Sequence, residues 1–144
     1  MKFYFTLNRT FLFALFVLSI TVILIFGQFS SVAVADDNGK TNGNRIDFIK
    51  GLGYTPVEEA VEVKNITIPY EFSDVYEEYN CLQLEAGFDL KGFCGLEVIR
   101  YTYTLTDGKK GGLRANLLVF NNEIIGGDIS SVAIDGEMLP LIKK

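Results

Sequence analysis

The chain contains no histidine among its 144 residues, and this absence excludes several kinds of active site. A Ser-His-Asp or Cys-His nucleophile needs a histidine as its base, so neither forms within one chain. Histidine is also a usual ligand of catalytic zinc, and two cysteines alone cannot fill a four-coordinate structural site. No serine is followed three residues later by lysine, as the Ser-x-x-Lys nucleophile requires. We therefore expect neither a metal nor another cofactor.

Basic residues are also few. The chain has 13 lysines and arginines against 18 aspartates and glutamates, which gives a net charge of −5. Nucleic acids and anionic lipid headgroups both select basic surfaces, so this composition argues against either as a ligand of the acidic part of the chain. We expect the acidity to serve mainly solubility, and we expect no nucleic-acid partner.

Charge is missing altogether between Arg9 and Asp36. Within this span Phe11 to Gly27 is almost wholly apolar, and as a helix it covers about 25 Å, close to the lower limit for crossing a bilayer. Lys2 and Arg9 flank the start of the run, and positive charge tends to stay in the cytoplasm. The pattern predicts a membrane helix with a cytoplasmic N-terminus and the remaining chain outside.

Two interpretations of residues 1–35 stay open. In the first, they form an uncleaved signal-anchor, and the chain is a single-pass protein of the cell membrane. In the second, they are a signal peptide cleaved after Ala35, because Ala33-Val34-Ala35 fits the small-x-small rule, and the protein is secreted. We prefer the anchor, since the apolar run is longer than the ~7–15 residues usual in signal peptides.

The rest of the sequence divides into a linker and one domain. Residues 36–45 are polar and rich in asparagine and glycine, which is typical of a flexible tether. Residues 46–144 are long enough for one modest core, and they show no internal repeat.

Two helices are predicted in this domain. A short one covers Ile46–Gly53, with Asn44 as its cap. A longer one follows Ser73 as N-cap and stops at Gly87. Its apolar stripe, expected to face the sheet, consists of Val75, Tyr79, Leu82 and Ala86.

Strand patterns dominate the remainder. Val61–Pro69 alternates but changes parity at Lys64-Asn65, which predicts a bulge or turn there. Asn121-Asn122 is suited to a tight hairpin turn, and Gly126-Gly127 to a bulge or a close backbone approach. Helix, strand, long helix and then an antiparallel meander define an α+β fold, with the long helix on one face of the sheet. The meander strands are expected near residues 96–107, 113–120 and 123–130.

A polar stripe on the long helix is the first candidate site. Tyr76, Asn80 and Gln83 lie together on a helix and would be able to hold an extended peptide or a glycan through hydroxyl and amide groups. The alternative, which we prefer, is that these side chains hydrogen bond to loop backbone at the edge of the core.

Carboxylates supply the second candidate site. A facing pair would be able to hydrolyse glycosidic or peptide bonds, although most acids in so small a domain form solvated surface. The acids considered are Glu58, Glu59, Glu77, Glu78, Asp89, Glu97 and Asp128.

The two cysteines, Cys81 and Cys94, either form a disulfide or remain free thiols. Both are expected outside the cytoplasm, where thiols oxidise, and the Phe88–Cys94 segment is able to fold back over the helix. Closing so short a loop would be worth roughly 3 kcal/mol.

Several stretches together resemble a bacterial family known as domain of unknown function 4830. They include Ile68-Pro69, YNCLQ at 79–83, GFDL at 87–90 and IIGGDIS at 124–130. The resemblance implies a short, N-terminally anchored protein of Gram-positive bacteria. The family has no assigned activity, so it implies no catalytic residue, and the cysteine pair is not part of its pattern.

These observations predict a non-enzymatic, membrane-anchored extracytoplasmic module that binds a protein or another envelope ligand. The alternative is a small carboxylate-dependent hydrolase of cell-wall material. Two carboxylates facing each other in a concave site would favour the hydrolase. An open sheet edge or a convex surface would favour the binding module.

Overall fold

The computed structural model describes residues 37–107, 112–133 and 136–143. They form a five-stranded antiparallel sheet whose strands follow chain order, together with two α-helices, which confirms the α+β fold. The strands are β1 (Glu62–Thr67), β2 (Glu97–Leu105), β3 (Leu113–Phe120), β4 (Glu123–Ser131) and β5 (Met138–Leu139), and the helices are α1 (Asn42–Gly51) and α2 (Asp74–Glu85). Within the described ranges no helix is long and apolar enough to cross a membrane. The predicted membrane segment 1–35 lies outside them.

Helix α1 begins four residues before the predicted start at Ile46. Its cap is Thr41 and not Asn44, because the Thr41 hydroxyl accepts the Asn44 N–H at 3.1 Å and so satisfies a free donor of the first turn. A 3-10 turn at Asp37–Gly39 precedes it, and the N–H of Gly39 bonds to the Asn122 carbonyl at 2.9 Å. The described part of the predicted linker is therefore structured and joined to the sheet.

The sheet carries a packed layer on each face. Helix α1 lies on the face where Tyr103 and Leu117 point, whereas helix α2 and the 3-10 helix Leu90–Phe93 cover the other face. The first core cluster consists of Ile49, Tyr54, Tyr103, Leu105, Ala115, Leu117, Val119, Ile124, Ile129 and Leu141. The second consists of Ile68, Leu90, Val98, Leu118 and Ile125.

Helix α2 starts after Ser73, as predicted, but it turns a different side to the sheet. Val75, assigned to the inward stripe, is 75% exposed, whereas Asn80 and Gln83 are buried. The reason is that the sheet surface beneath α2 is partly polar, with Thr102 and Asp128 buried there, so the helix contributes amides as well as apolar groups.

Two of three predicted strand irregularities are present. Asn121 and Asn122 have φ angles of 47° and 70° and form the hairpin turn between β3 and β4. The β3–β4 register shifts between Leu118 and Val119, next to the glycine pair. Gly127 has φ +147°, and a Cβ atom there would lie 2.0 Å from the Asn116 carbonyl oxygen, so only glycine fits.

The third predicted irregularity, at Lys64-Asn65, is wrong. Strand β1 pairs with β2 in unbroken register from Glu62 to Thr67. The irregularity lies earlier, because the Val61 N–H donates to the carbonyl of Thr102, the same residue that Glu62 opposes. Two residues opposite one make a bulge that changes the parity of the alternation.

Candidate functional site

The buried amides of α2 are bonded within the domain. The Asn80 side chain accepts the N–H of Leu90 at 2.8 Å and donates to Asp89 at 3.1 Å. The Gln83 side chain accepts the N–H of Gly127 at 2.7 Å and donates to the Tyr79 carbonyl at 3.3 Å. Both amides therefore hold backbone in place, as in the structural interpretation of this stripe.

Tyr76, the third member of the stripe, lies apart from this bonding. It lines an apolar groove of about 370 Å³ between α2 and β5, together with Val75, Tyr79, Leu82 and Met138. Asn80 and Gln83 do not line the groove. The three residues predicted to act together are thus divided between a groove wall and the core.

A polar network that the sequence did not indicate lies between α2 and the sheet. Asp128 is 4% exposed, and its carboxylate accepts bonds from the Tyr79 hydroxyl at 3.0 Å and the Asn116 amide at 2.8 Å. Asn116 in turn accepts from the Thr102 hydroxyl at 2.8 Å and donates to Ser130 at 3.1 Å. The register explains the cluster, because Thr102, Asn116 and Asp128 lie opposite one another on adjacent strands.

Burial raises the pKa of Asp128 above its usual range, although the bonds from Asn116 and Tyr79 act in the opposite direction. Burial also raises the pKa of Tyr79, and the nearby Asp128 charge adds to this effect. A buried acid of raised pKa resembles a general acid, but its hydrogen-bond partners here are neutral side chains. Two-carboxylate hydrolysis would need a second acid facing Asp128.

The cysteines are both free thiols, with Cys81 exposed on α2 and Cys94 half-buried after the 3-10 helix. Asp89 caps that 3-10 helix by accepting the Lys91 N–H, and this bond, with one from Asn80, lowers the pKa of Asp89. The sequence left a disulfide and two free thiols as alternatives, and in the structure the two thiols are not bonded to each other. Among the described residues, no group of three or more acids and cysteines is arranged to hold a metal ion.

A buried arginine joins the N-terminal segment to the sheet. Arg45 is 7% exposed, donates to the Tyr103 hydroxyl at 2.8 Å and to the Gly39 carbonyl at 2.7 Å, and stacks 3.7 Å above the Tyr101 ring. Beside it runs a groove of about 300 Å³ that reaches Asn65 and Glu97 at the β1 side of the sheet. The Asn65 amide donates to Glu97 at 3.1 Å.

One edge of the sheet is covered along its whole length. On β4, the N–H of Ile124 donates to the Asn38 side chain at 2.8 Å, that of Gly127 to Gln83, and that of Ser131 to the Glu137 carbonyl at 3.1 Å. Strand β5 pairs with the remaining stretch around Ile129. Two side chains, the Glu137 carbonyl and the two-residue strand β5 thus bond to this edge.

At the opposite edge, no described residue pairs with the outer side of strand β1, which we call the open edge. The N–H of Ile68 donates to the Leu96 carbonyl at 3.0 Å, and bonded pairs alternate in an antiparallel ladder. The backbone groups of Lys64 and Ile66 therefore point to β2, whereas those of Val63, Asn65 and Thr67 point outward. Every β1 side chain except that of Ile66 is exposed, and Val63 is 58% exposed.

Comparison of the chain with family models, with curated proteins and with solved structures finds no match.

Three features escaped prediction from the sequence. Arg45 lies in a run that has the composition of a linker, so no local signal marks its burial. The Asp128 network depends on pairing between strands and becomes visible only once the register is known. The open edge had a signal, since Val63 stands between Glu62 and Lys64 in a short strand, a pattern of exposed strands.

Proposed function

We propose that the domain is a non-enzymatic protein-interaction module that pairs the open edge of β1 with an extended segment of a partner. The observation that carries this proposal is the row of outward backbone groups at Val63, Asn65 and Thr67 beside exposed valines. Strand addition uses such a row for affinity and the neighbouring side chains for specificity.

The surroundings of the edge support an extended protein segment. Val61 and Val63, 55% and 58% exposed, offer apolar contact to side chains that alternate along an added strand. A groove runs beside the same strand, where the Asn65 and Glu97 side chains bond to each other. By contrast, the amide stripe first considered for binding is already bonded inside the domain.

The location of the module is part of the proposal. We infer an N-terminal anchor in the cell membrane over residues 1–35, with the domain outside and its partner in the cell envelope. We also propose, from the motifs quoted above, that the chain belongs to the domain of unknown function 4830 family. The hydrolase alternative has less support, since Asp128 is bonded to neutral groups under helix α2.

Site-specific photo-crosslinking in native membranes tests the function. A photoreactive residue at Val61 should yield a defined crosslinked protein product, whereas the same probe at Val132, similarly exposed directly after β4, should not. Adding Val63→Pro removes an outward N–H and should abolish the product. Identical products from both probe positions, or products that survive Val63→Pro, would overturn the proposal.

The same preparations separate the two candidate functions. The purified full chain should leave cell-wall material intact. Turnover of that material that is lost in Asp128→Asn would instead identify the domain as a hydrolase.

A further inference from the structure

We propose that the segment paired with β1 is the β1 strand of a second copy of this chain. The inference rests on the proposed function and names its partner. The two strands run antiparallel about a two-fold axis at Val63, so that the two sheets join into one.

The sequence of β1 is complementary to itself in this arrangement. With Val63 opposite Val63 of the second copy, each Glu62 lies opposite a Lys64. Opposite charges that face each other across antiparallel strands stabilise the pair, and like charges destabilise it. A shift by one residue would place Val63 opposite a charged residue and lose the match.

Backbone geometry permits the same register. The N–H and C=O of Val63 point away from β2, as the bond from Ile68 to Leu96 in the alternating ladder requires. Two residues of this kind that face each other exchange a pair of N–H···O bonds, and a two-fold axis passes naturally through such a pair. The flanking Glu62 and Lys64 then form the closer, non-bonded type of pair, in which side chains approach most nearly.

Lys64 has an electrostatic reason to accept an acid from outside. The residue opposite Lys64 on β2 is Arg100, which is also positively charged. Arg100 forms an ion pair with Glu62 at 2.7 Å. Lys64 makes no ion pair with any residue in the described ranges. Glu62 of a second copy would reach Lys64 from the open side and would place a negative charge next to these two cations.

The covered edge explains why the assembly would stop at two copies. An interface that uses the same patch on both copies closes on itself. The joined sheet has only the β4–β5 edges left at its ends, and these are occupied by Asn38, Gln83 and β5. In the part of the chain that the structure describes, the outermost strand left at each end is β5, whose two residues offer little length for pairing with a third copy.

Charge exchange tests the inference with a positive control built in. In Glu62→Lys alone or Lys64→Glu alone, both cross-strand pairs of the dimer become like-charged, so its dissociation constant should rise about tenfold or more. Mixing the two variants restores both pairs as Glu with Lys, and a heterodimer should form. Sedimentation of the full chain in mild detergent, with native mass spectrometry of isotopically labelled mixtures, gives the readout. Circular dichroism checks that each variant is folded.

The outcomes are distinct. A concentration-dependent wild-type dimer, weakened in each variant and restored in the mixture, supports the inference. A monomeric wild type, or a dimer that ignores both substitutions, overturns it and leaves Lys64 as a charge that keeps edges apart. If that monomer still gives the Val61 crosslink to a different protein, the proposed function stands without this partner; if it gives none, both fail.

Discussion

The two edges of the sheet differ in what satisfies their backbone. At the β4 edge, the N–H groups of Ile124 and Gly127 meet side-chain oxygens, that of Ser131 meets the Glu137 carbonyl, and β5 pairs with the stretch around Ile129. At the β1 edge, no protein group covers the outward groups of Val63 and Asn65 in the described ranges. An exposed strand edge readily pairs with another chain, and proteins usually cover or interrupt such edges. This difference between the edges is the reason for proposing β1 as the surface for interaction.

We expect the largest loss of stability from a substitution at the most crowded point of the covered edge. Gly127→Ala places a methyl group 2.0 Å from the Asn116 carbonyl oxygen in a backbone conformation that favours glycine. We expect a loss of about 4 kcal/mol or more in the free energy of unfolding, measured by chemical denaturation. Gly92→Ala is the control, because a methyl group there meets nothing within 4 Å. Equal stability of the two variants would contradict this description of the edge.

The second largest loss of stability is expected when a side chain that covers the β4 edge is removed. Gln83→Ala leaves the Gly127 N–H without its acceptor and opens a cavity under α2, so we expect a loss of about 3 kcal/mol. Glu85→Ala on the exposed side of the same helix should change stability by less than about 0.5 kcal/mol. Denaturant midpoints of the two variants compare them directly. A Gln83→Ala variant as stable as Glu85→Ala would show that the amide does not support the edge.

Strand β4 also carries the buried carboxylate, which predicts a pH dependence. Because burial raises the folded-state pKa of Asp128 above its ordinary 3.8, the folded state binds this proton more tightly than the unfolded state. The stabilisation that this bound proton provides is complete below pH 3.8 and is lost as the pH rises through the folded-state pKa of Asp128. Relative to Asp128→Asn, the wild type should therefore lose stability over that window, by at most about 1.4 kcal/mol per pH unit.

Asp89 is the control, because its effect on stability should change with pH in the opposite direction. The Lys91 N–H and the Asn80 amide lower the pKa of Asp89, so the wild type should gain stability relative to Asp89→Asn as the pH rises through the acidic range. Thermal unfolding of all three proteins between pH 3 and 7 measures both slopes. A flat or rising difference between the wild type and Asp128→Asn would contradict the burial argument.

The smallest expected effect concerns the open edge. Val63→Pro removes an N–H that points away from β2, so we expect stability to fall by less than about 1 kcal/mol. The matched control is Lys64→Pro, where the lost N–H bonds to β2 and the cost should be about 3 kcal/mol. Chemical denaturation of the monomeric proteins distinguishes the positions. Equal losses of stability in Val63→Pro and Lys64→Pro would show that the Val63 N–H is bonded as the Lys64 N–H is.

The sequence predicted the positions of helices, strands and turns more accurately than it predicted which side of each is buried. Strand β3 and the Asn121-Asn122 turn were predictable, because alternation and positive-φ preference are local properties. The inward side of α2 was not, since an amide looks like a surface residue until its partner is known, and Gly127 lies 44 positions from Gln83. Arg45 was missed for the same reason, as the Tyr103 hydroxyl that receives its bond is 58 positions away.

The open edge is tested most directly by amide hydrogen exchange of single residues in the Lys64→Glu variant, which should be monomeric. The N–H groups of Ile124 and Gly127 should be strongly protected, whereas those of Val63 and Asn65 should exchange at nearly the rate of an unstructured chain. In the wild type at dimer-forming concentration, Val63 should gain protection while Gly127 is unchanged. Protection of Val63 equal to that of Gly127 in the monomer, or rapid exchange at Gly127, would contradict the account.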